Sequence, residues 1–118
     1  MVRLIQRVAI LGALLLPFSF VPMEAGAVTS YYGSNYSYDY GTGADYAHWL
    51  GVHDGESDNN GAYAIYRRTS TGSTDYRLDD PNGSAAGDGN SPYGSRISQH
   101  HVCESQVGPD PCGIYVYP

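Results

Sequence analysis

The 118-residue chain has no lysine; its basic residues are six arginines. Arg3 and Arg7 stand near the start, which leaves Arg67, Arg68, Arg77 and Arg96 for everything after residue 27. Against those four stand eleven of the twelve acidic residues, so residues 28–118 carry a net charge of −7. Such a balance repels the phosphates of nucleic acid and the anionic faces of membranes, and neither is expected as a partner. Cysteine is scarce: only Cys103 and Cys112 are present. After Val21 no apolar stretch could span a bilayer, which needs about 20 residues. No long helical period and no internal repeat follow residue 27, so a helical bundle and a solenoid are both excluded as expectations.

What is present begins with an export pattern. Arg3 and Arg7 precede the uncharged run VAILGALLLPFSFV at residues 8–21, and Ala25-Gly26-Ala27 supplies small residues at the −3 and −1 positions of a cleavage site. Residues 1–27 are therefore expected to be a secretory signal peptide, and the mature protein to be secreted, extracellular and free of the membrane. The remaining 91 residues make one domain with a modest core. An even cysteine count in an exported chain reads as one disulfide, Cys103 to Cys112.

All 12 tyrosines lie after residue 27. Residues 28–44 (VTSYYGSNYSYDYGTGA) are low in complexity, with no aliphatic side chain beyond Val28. They read as a flexible or weakly ordered N-terminal arm, either a solvated tail or a segment that becomes ordered on a partner as an added strand or in a cleft. Tyr31, Tyr32, Tyr36, Tyr38 and Tyr40 are its candidate contact residues. The alternation of Tyr36, Tyr38 and Tyr40 with Ser37 and Asp39 puts three rings on one side of an extended chain. Deletion of the arm is expected to leave the domain folded.

Residues 45–118 form the expected β domain. Short apolar or alternating runs at 62–69, 74–78, 96–104 and 114–117 read as strands, and 45–53 as a strand or as one helical turn and then a strand. The stretches 54–61 and 79–93, dense in Asp, Asn, Gly and Ser, read as loops. The fold class is all-β: a small single-domain sandwich or barrel-like meander, with one C-terminal disulfide and the arm at its N-terminus.

Residues 54–61 (DGESDNNG) invite a calcium reading, but glycine falls at the eighth place rather than the sixth and Ile65 at the twelfth, so a solvated acidic turn is preferred. His100-His101 point to opposite faces of a strand and cannot easily grip one metal; one ring is expected inside and one in solvent. A zinc site would need His48 or His53 as well, and no ligand spacing supports it. Arg67-Arg68 reads as an exposed pair balancing nearby aspartates. Ser, His and Asp are numerous enough for chance triads, but no nucleophile elbow is present. No catalytic residue, no metal and no cofactor is assigned.

GAYAIY at 61–66, RLDDPNG at 77–83 and RISQHHVCES at 96–105, with the second cysteine at Cys112, resemble small exported β-rich proteins of streptomycetes and related actinobacteria. The build is similar to that of the small adaptor subunits of umbrella-shaped antibacterial toxin particles. That resemblance implies a non-enzymatic adaptor. Its implied partners are other secreted proteins: a lectin-bearing, trypsin-like subunit and a repeat-containing toxin subunit. The expectation is thus a secreted protein-binding module in an extracellular particle. Its competitors are a secreted protease inhibitor, presenting residues 83–92 or the disulfide loop, and a carbohydrate-binding domain using Trp49 and tyrosines.

Overall fold

The structure is a computed structural model that describes residues 27–118. The expected signal peptide therefore lies outside the described residues except for Ala27. The described residues form seven strands: β1 Thr29–Tyr32, β2 Asn35–Tyr40, β3 Trp49–His53, β4 Ala62–Arg68, β5 Tyr76–Asp79, β6 Gly89–Asn90 and β7 Ile97–Glu104. Two 3-10 turns, Gly43–Asp45 and Thr69–Thr71, join neighbouring strands. The strands form two antiparallel sheets, one in the order β1-β2-β3-β6 and the other in the order β5-β4-β7. The all-β expectation holds, as a two-sheet sandwich.

The sheets bury one cluster between them. Leu50 and Val52 from β3 meet Ala62, Ala64 and Tyr66 from β4 and Ile97 and Val102 from β7, with Tyr32, Tyr76 and Leu78 at its margin. Each fully buried Val, Leu or Ile contributes about 1.5–3 kcal/mol. The core is small because glycine, serine and tyrosine dominate the chain, and polar contacts complete the interior.

Residues 28–44 are not an arm. They hold β1 and β2, a hairpin whose pairs run from Thr29 with Tyr38 to Tyr32 with Asn35. Gly33 and Ser34 close it, with Gly33 at φ +62°, a conformation open to glycine at the first central position of a tight hairpin turn. β2 then pairs with β3 along five residues, so the hairpin supplies half of the four-stranded sheet. The inner face of β2 carries Asn35, Ser37 and Asp39, all buried. Composition suggested that such residues would seek water; here each finds polar company inside the sandwich.

Two further differences concern loops and ends. The expected loop 79–93 contains β6, which pairs Asn90 with Gly51 and Gly89 with Val52. The expected last strand 114–117 makes only an isolated bridge, Val116 with His100. Cys103 and Cys112 are joined as expected, with Cα atoms 4.0 Å apart. Cys103 lies on the outward side of β7, and the short loop it closes is tied to that face by Tyr63, whose hydroxyl donates to Asp110 at 2.5 Å. The bridge therefore clamps a C-terminal loop over the three-stranded sheet and lies outside the apolar cluster.

Candidate functional site: an aromatic sheet face

The register of β1, β2 and β3 decides which side chains share the outer face of the four-stranded sheet. Tyr31 is opposite Tyr36, Tyr36 opposite His53, Tyr38 opposite Gly51, and Tyr40 opposite Trp49. The rings make a continuous row. Centroids are 5.9 Å apart from Tyr31 to Tyr36, from Tyr36 to Tyr38 and from Tyr38 to Tyr40. Tyr40 stacks on Trp49 at 5.8 Å with planes 8° apart. Tyr93 meets the Trp49 ring edge-on at 5.0 Å and stacks on His48 at 5.3 Å. The exposed side of an antiparallel sheet usually carries polar residues.

The row is fixed by its hydroxyls. Tyr38 donates to Asp88 at 2.5 Å, Tyr40 to Asn90 at 3.0 Å and Tyr93 to Asp45 at 3.0 Å. His53 Nδ1 sits 2.8 Å from the other oxygen of Asp88, with its ring 4.9 Å from Tyr36. Burial and the adjoining Asp88 carboxylate push the Tyr38 phenol well above its ordinary pKa. Burial raises Tyr40, and the hydrogen bond to Asp45 raises Tyr93. These phenols stay neutral donors in the physiological range. Gly51 makes room for the arrangement: a Cβ there would lie 2.3 Å from Cζ of Tyr38.

Four of the five expected contact tyrosines, Tyr31, Tyr36, Tyr38 and Tyr40, thus stand together. They do so as part of a sheet. Tyr32 does not join them, because its neighbour Tyr31 takes the outer face and Tyr32 turns inward against the core. Sequence reasoning missed Tyr93, Asp88 and Asn90, which come from a distant segment, and His48, the chain neighbour of Trp49. It also missed the hairpin, although the Gly33-Ser34 pair between alternating tyrosines is a turn signal in its own right.

Between the sheets runs a polar seam. Ser37 Oγ lies 2.8 Å from His100 Nδ1, and His100 Nε2 lies 3.3 Å from Asp39 Oδ1. With its Nε2 proton donated to Asp39, the ring leaves Nδ1 to accept the Ser37 hydroxyl. This is a Ser-His-Asp row, but Ser37 and His100 are wholly buried and Asp39 is 1 % exposed. A substrate has no path to the Ser37 oxygen, and the row serves to hold β2 against β7. Asn35 extends the seam by donating to Glu104 at 3.2 Å and accepting from the Gly55 N–H at 2.9 Å.

The histidine pair splits as its alternation requires. His100 is internal, and His101 faces outward, stacked on Tyr115 with centroids 3.7 Å apart. Burial lowers the pKa of His101, an effect opposed by its contact with the Gly113 carbonyl. His48 lies against the Gly94 carbonyl at 2.7 Å, in the aromatic row.

The Arg67-Arg68 pair is not uniformly exposed. Arg67 pairs with Asp75 at 2.7 Å, whereas Arg68 is buried. Alternation along β4 puts Arg68 on the inner side with Ala62, Ala64 and Tyr66, and a register shift at this point sets it opposite Ile97. There it donates to the carbonyls of His48 at 3.0 Å, Pro92 at 2.7 Å and Ser95. It thereby pins the segment that presents Tyr93.

The acidic loop 54–61 is built into the fold. Asp54 is buried; its N–H donates to Asp80 at 2.8 Å, and its side chain accepts from the Glu56 N–H at 3.1 Å. Glu56 accepts from the Ser34 N–H at 3.0 Å, tying the loop to the hairpin turn. That bond lowers the pKa of Glu56, but the facing Glu104 carboxyl and burial outweigh it and the group titrates above its usual range. Glu104 itself accepts from Asn35, Asn60 and Gln106. Glu56, Asp58 and Glu104 bring oxygens within 4.8 Å of one another, as do His53, Asp80 and Asp88 with their own ligand atoms. Oxygens close together suit a hard cation, yet each of these groups contains side chains already engaged in internal hydrogen bonds.

Comparisons with protein-family models, with curated proteins and with solved structures find no match.

Proposed function

We propose that this chain is a secreted, non-enzymatic protein-binding module that docks a protein partner on the aromatic face of its four-stranded sheet. The observation that carries the reading is the unbroken ring row from Tyr31 through Tyr36, Tyr38, Tyr40 and Trp49 to Tyr93. Tyrosine and tryptophan dominate the energetics of protein interfaces. Rings held by neighbours and by hydroxyl bonds lose little freedom on docking, which favours affinity. A glycan platform needs an open ring face. Here Tyr40 is stacked on Trp49 and Tyr93 meets Trp49 edge-on, so the rings are engaged with one another, which favours a protein surface over a sugar.

The extended-arm route to a partner is replaced by a preformed surface. The adaptor role implied by the resemblance also needs a second surface. The outer face of the three-stranded sheet, with Ile65, Arg67, Arg77 and His101, supplies one of different chemistry. Arg67 and Arg77 there are paired with Asp75 and Asp79, so the face presents charge of both signs.

The test uses protein secreted into culture medium, affinity capture from that medium and mass spectrometry. A partner held by the wild type is expected to be lost by the Tyr36→Ser/Trp49→Ser double variant, by about 30-fold or more in Kd if two interface anchors are removed. Thermal unfolding confirms that the variant is folded. Equal capture by a folded variant sinks the proposal. Binding on a glycan array without any protein partner would turn the reading to a lectin, and inhibition of serine proteases to an inhibitor.

A further inference from the structure

Asp39 ends the inner face of β2 in an unusual state. Its Oδ1 accepts from the Val28 nitrogen at 2.9 Å and lies 3.3 Å from His100 Nε2. Its Oδ2 is buried and has no hydrogen-bond partner. Among the described residues its ion-pair partner is His100, and no arginine reaches it. A buried carboxylate oxygen without a donor is costly, and more so when the group is charged.

The nitrogen beside it belongs to the residue that follows the expected export cleavage. Ala27 is exposed, so the 27–28 bond lies at the surface. In the uncleaved chain Val28 offers an amide with one hydrogen and no charge. Hydrolysis by an export signal peptidase adds the OH of water to the Ala27 carbonyl carbon and its hydrogen to the Val28 nitrogen, and the C–N bond breaks. The released acid loses its proton and the new amine takes one up. An α-amino group of ordinary pKa, about 7.7–8.0, is largely protonated at neutral pH. Three donors and a positive charge then stand where one neutral donor stood, 2.9 Å from Oδ1 of the carboxylate whose Oδ2 is orphaned.

We infer that the mature N-terminus is a structural ion pair: the Val28 α-ammonium, created by cleavage after Ala27, binds both oxygens of Asp39 and ties the start of β1 to the end of β2, beside the contact of Asp39 with His100 of β7. Cleavage would thus complete the polar seam as well as release the protein. Charge-assisted bonds of this kind are the stronger class of hydrogen bond. The pair stands apart from the partner-binding reading and neither depends on the other.

The lack of lysine makes the test specific, because the α-amino group is then the sole aliphatic amine of the exported protein. The full chain is secreted from a host with an export pathway and its first residue is read by mass spectrometry; Val28 is expected. Native and urea-unfolded samples are next acetylated with an N-hydroxysuccinimide ester near neutral pH. Native protein should react about tenfold more slowly or less, the factor given by ~1.4 kcal/mol of protection. Folded Asp39→Asn protein should react at close to the unfolded rate. If that variant does not fold, a chain with Gly-Ser inserted between Ala27 and Val28 serves instead, since its ammonium lies beyond the reach of Asp39 and should label fast. A different first residue, equal native and unfolded rates, or slow labelling of the extended chain overturns the inference.

Discussion

His101 shows how one side chain's surroundings become a pH dependence of the whole protein. The ring is stacked on Tyr115, and burial lowers its pKa from the ordinary 6.5. The unfolded chain then binds a proton at this site at a higher pH than the folded chain does. Stability from His101 is complete above about pH 6.5 and declines as the pH falls through the unfolded value. We expect the urea midpoint of the wild type to fall between about pH 7.5 and about pH 5.5 more steeply than that of His101→Gln. Identical slopes for the two proteins would refute the assignment. Alternation along the strand was enough to place one histidine of the pair inside and one outside. Which of the two faced the core depended on the register with β4, where Ile65 opposes His101 and Tyr66 opposes His100.

At the scale of elements, the pairing of β2 with β3 makes the aromatic face, and Gly51 makes that pairing possible. The Tyr38 ring lies over Gly51, so an added Cβ must displace it from its hydrogen bond with Asp88. Gly51→Ala is expected to cost about 1–3 kcal/mol by overpacking. In a Tyr38→Ser background the same change should cost less than about 1 kcal/mol, because the colliding ring is gone. Denaturant unfolding of the four proteins measures the difference, and an undiminished cost in the double variant would show that the clash lies elsewhere. The β1–β2 hairpin was only partly legible beforehand. The alternation of Tyr36, Tyr38 and Tyr40 and the Gly33-Ser34 turn were visible, but Asn35, Ser37 and Asp39 on the opposite side resembled solvent-facing residues. Their partners, Glu104 and His100, come from more than 60 positions away.

For the whole molecule, the consequence is that residues 28–44 cannot be removed. They supply two of the four strands in one sheet and one wall of the polar seam. Deletion of 28–44 should abolish cooperative thermal unfolding and near-ultraviolet dichroism, since β3 loses its main partner and the seam around His100 loses Ser37 and Asp39. A deleted protein that still melts sharply would restore the picture of a dispensable arm. The disulfide, by contrast, closes a short loop on the outer face, where the loop-entropy argument gives it about 2–3 kcal/mol. Its loss therefore weakens the C-terminal loop more directly than the apolar cluster.

Local chemistry determined several things by itself. Alternation and turn residues make the chain all-β, and cysteine number predicts the bridge that the structure contains. Side-chain period also put Tyr36, Tyr38 and Tyr40 on a common side. Tertiary structure decided the rest: that this side is the outer face of a sheet, that Trp49 and Tyr93 extend it, and that the polar face beneath is interior. The physical reason is distance along the chain. Periodicity tells which residues share a face, but not whether that face meets water or protein. Asn35, Ser37 and Asp39 are buried because Glu104 and His100 meet them there, and no local pattern in residues 28–44 announces partners held in β7.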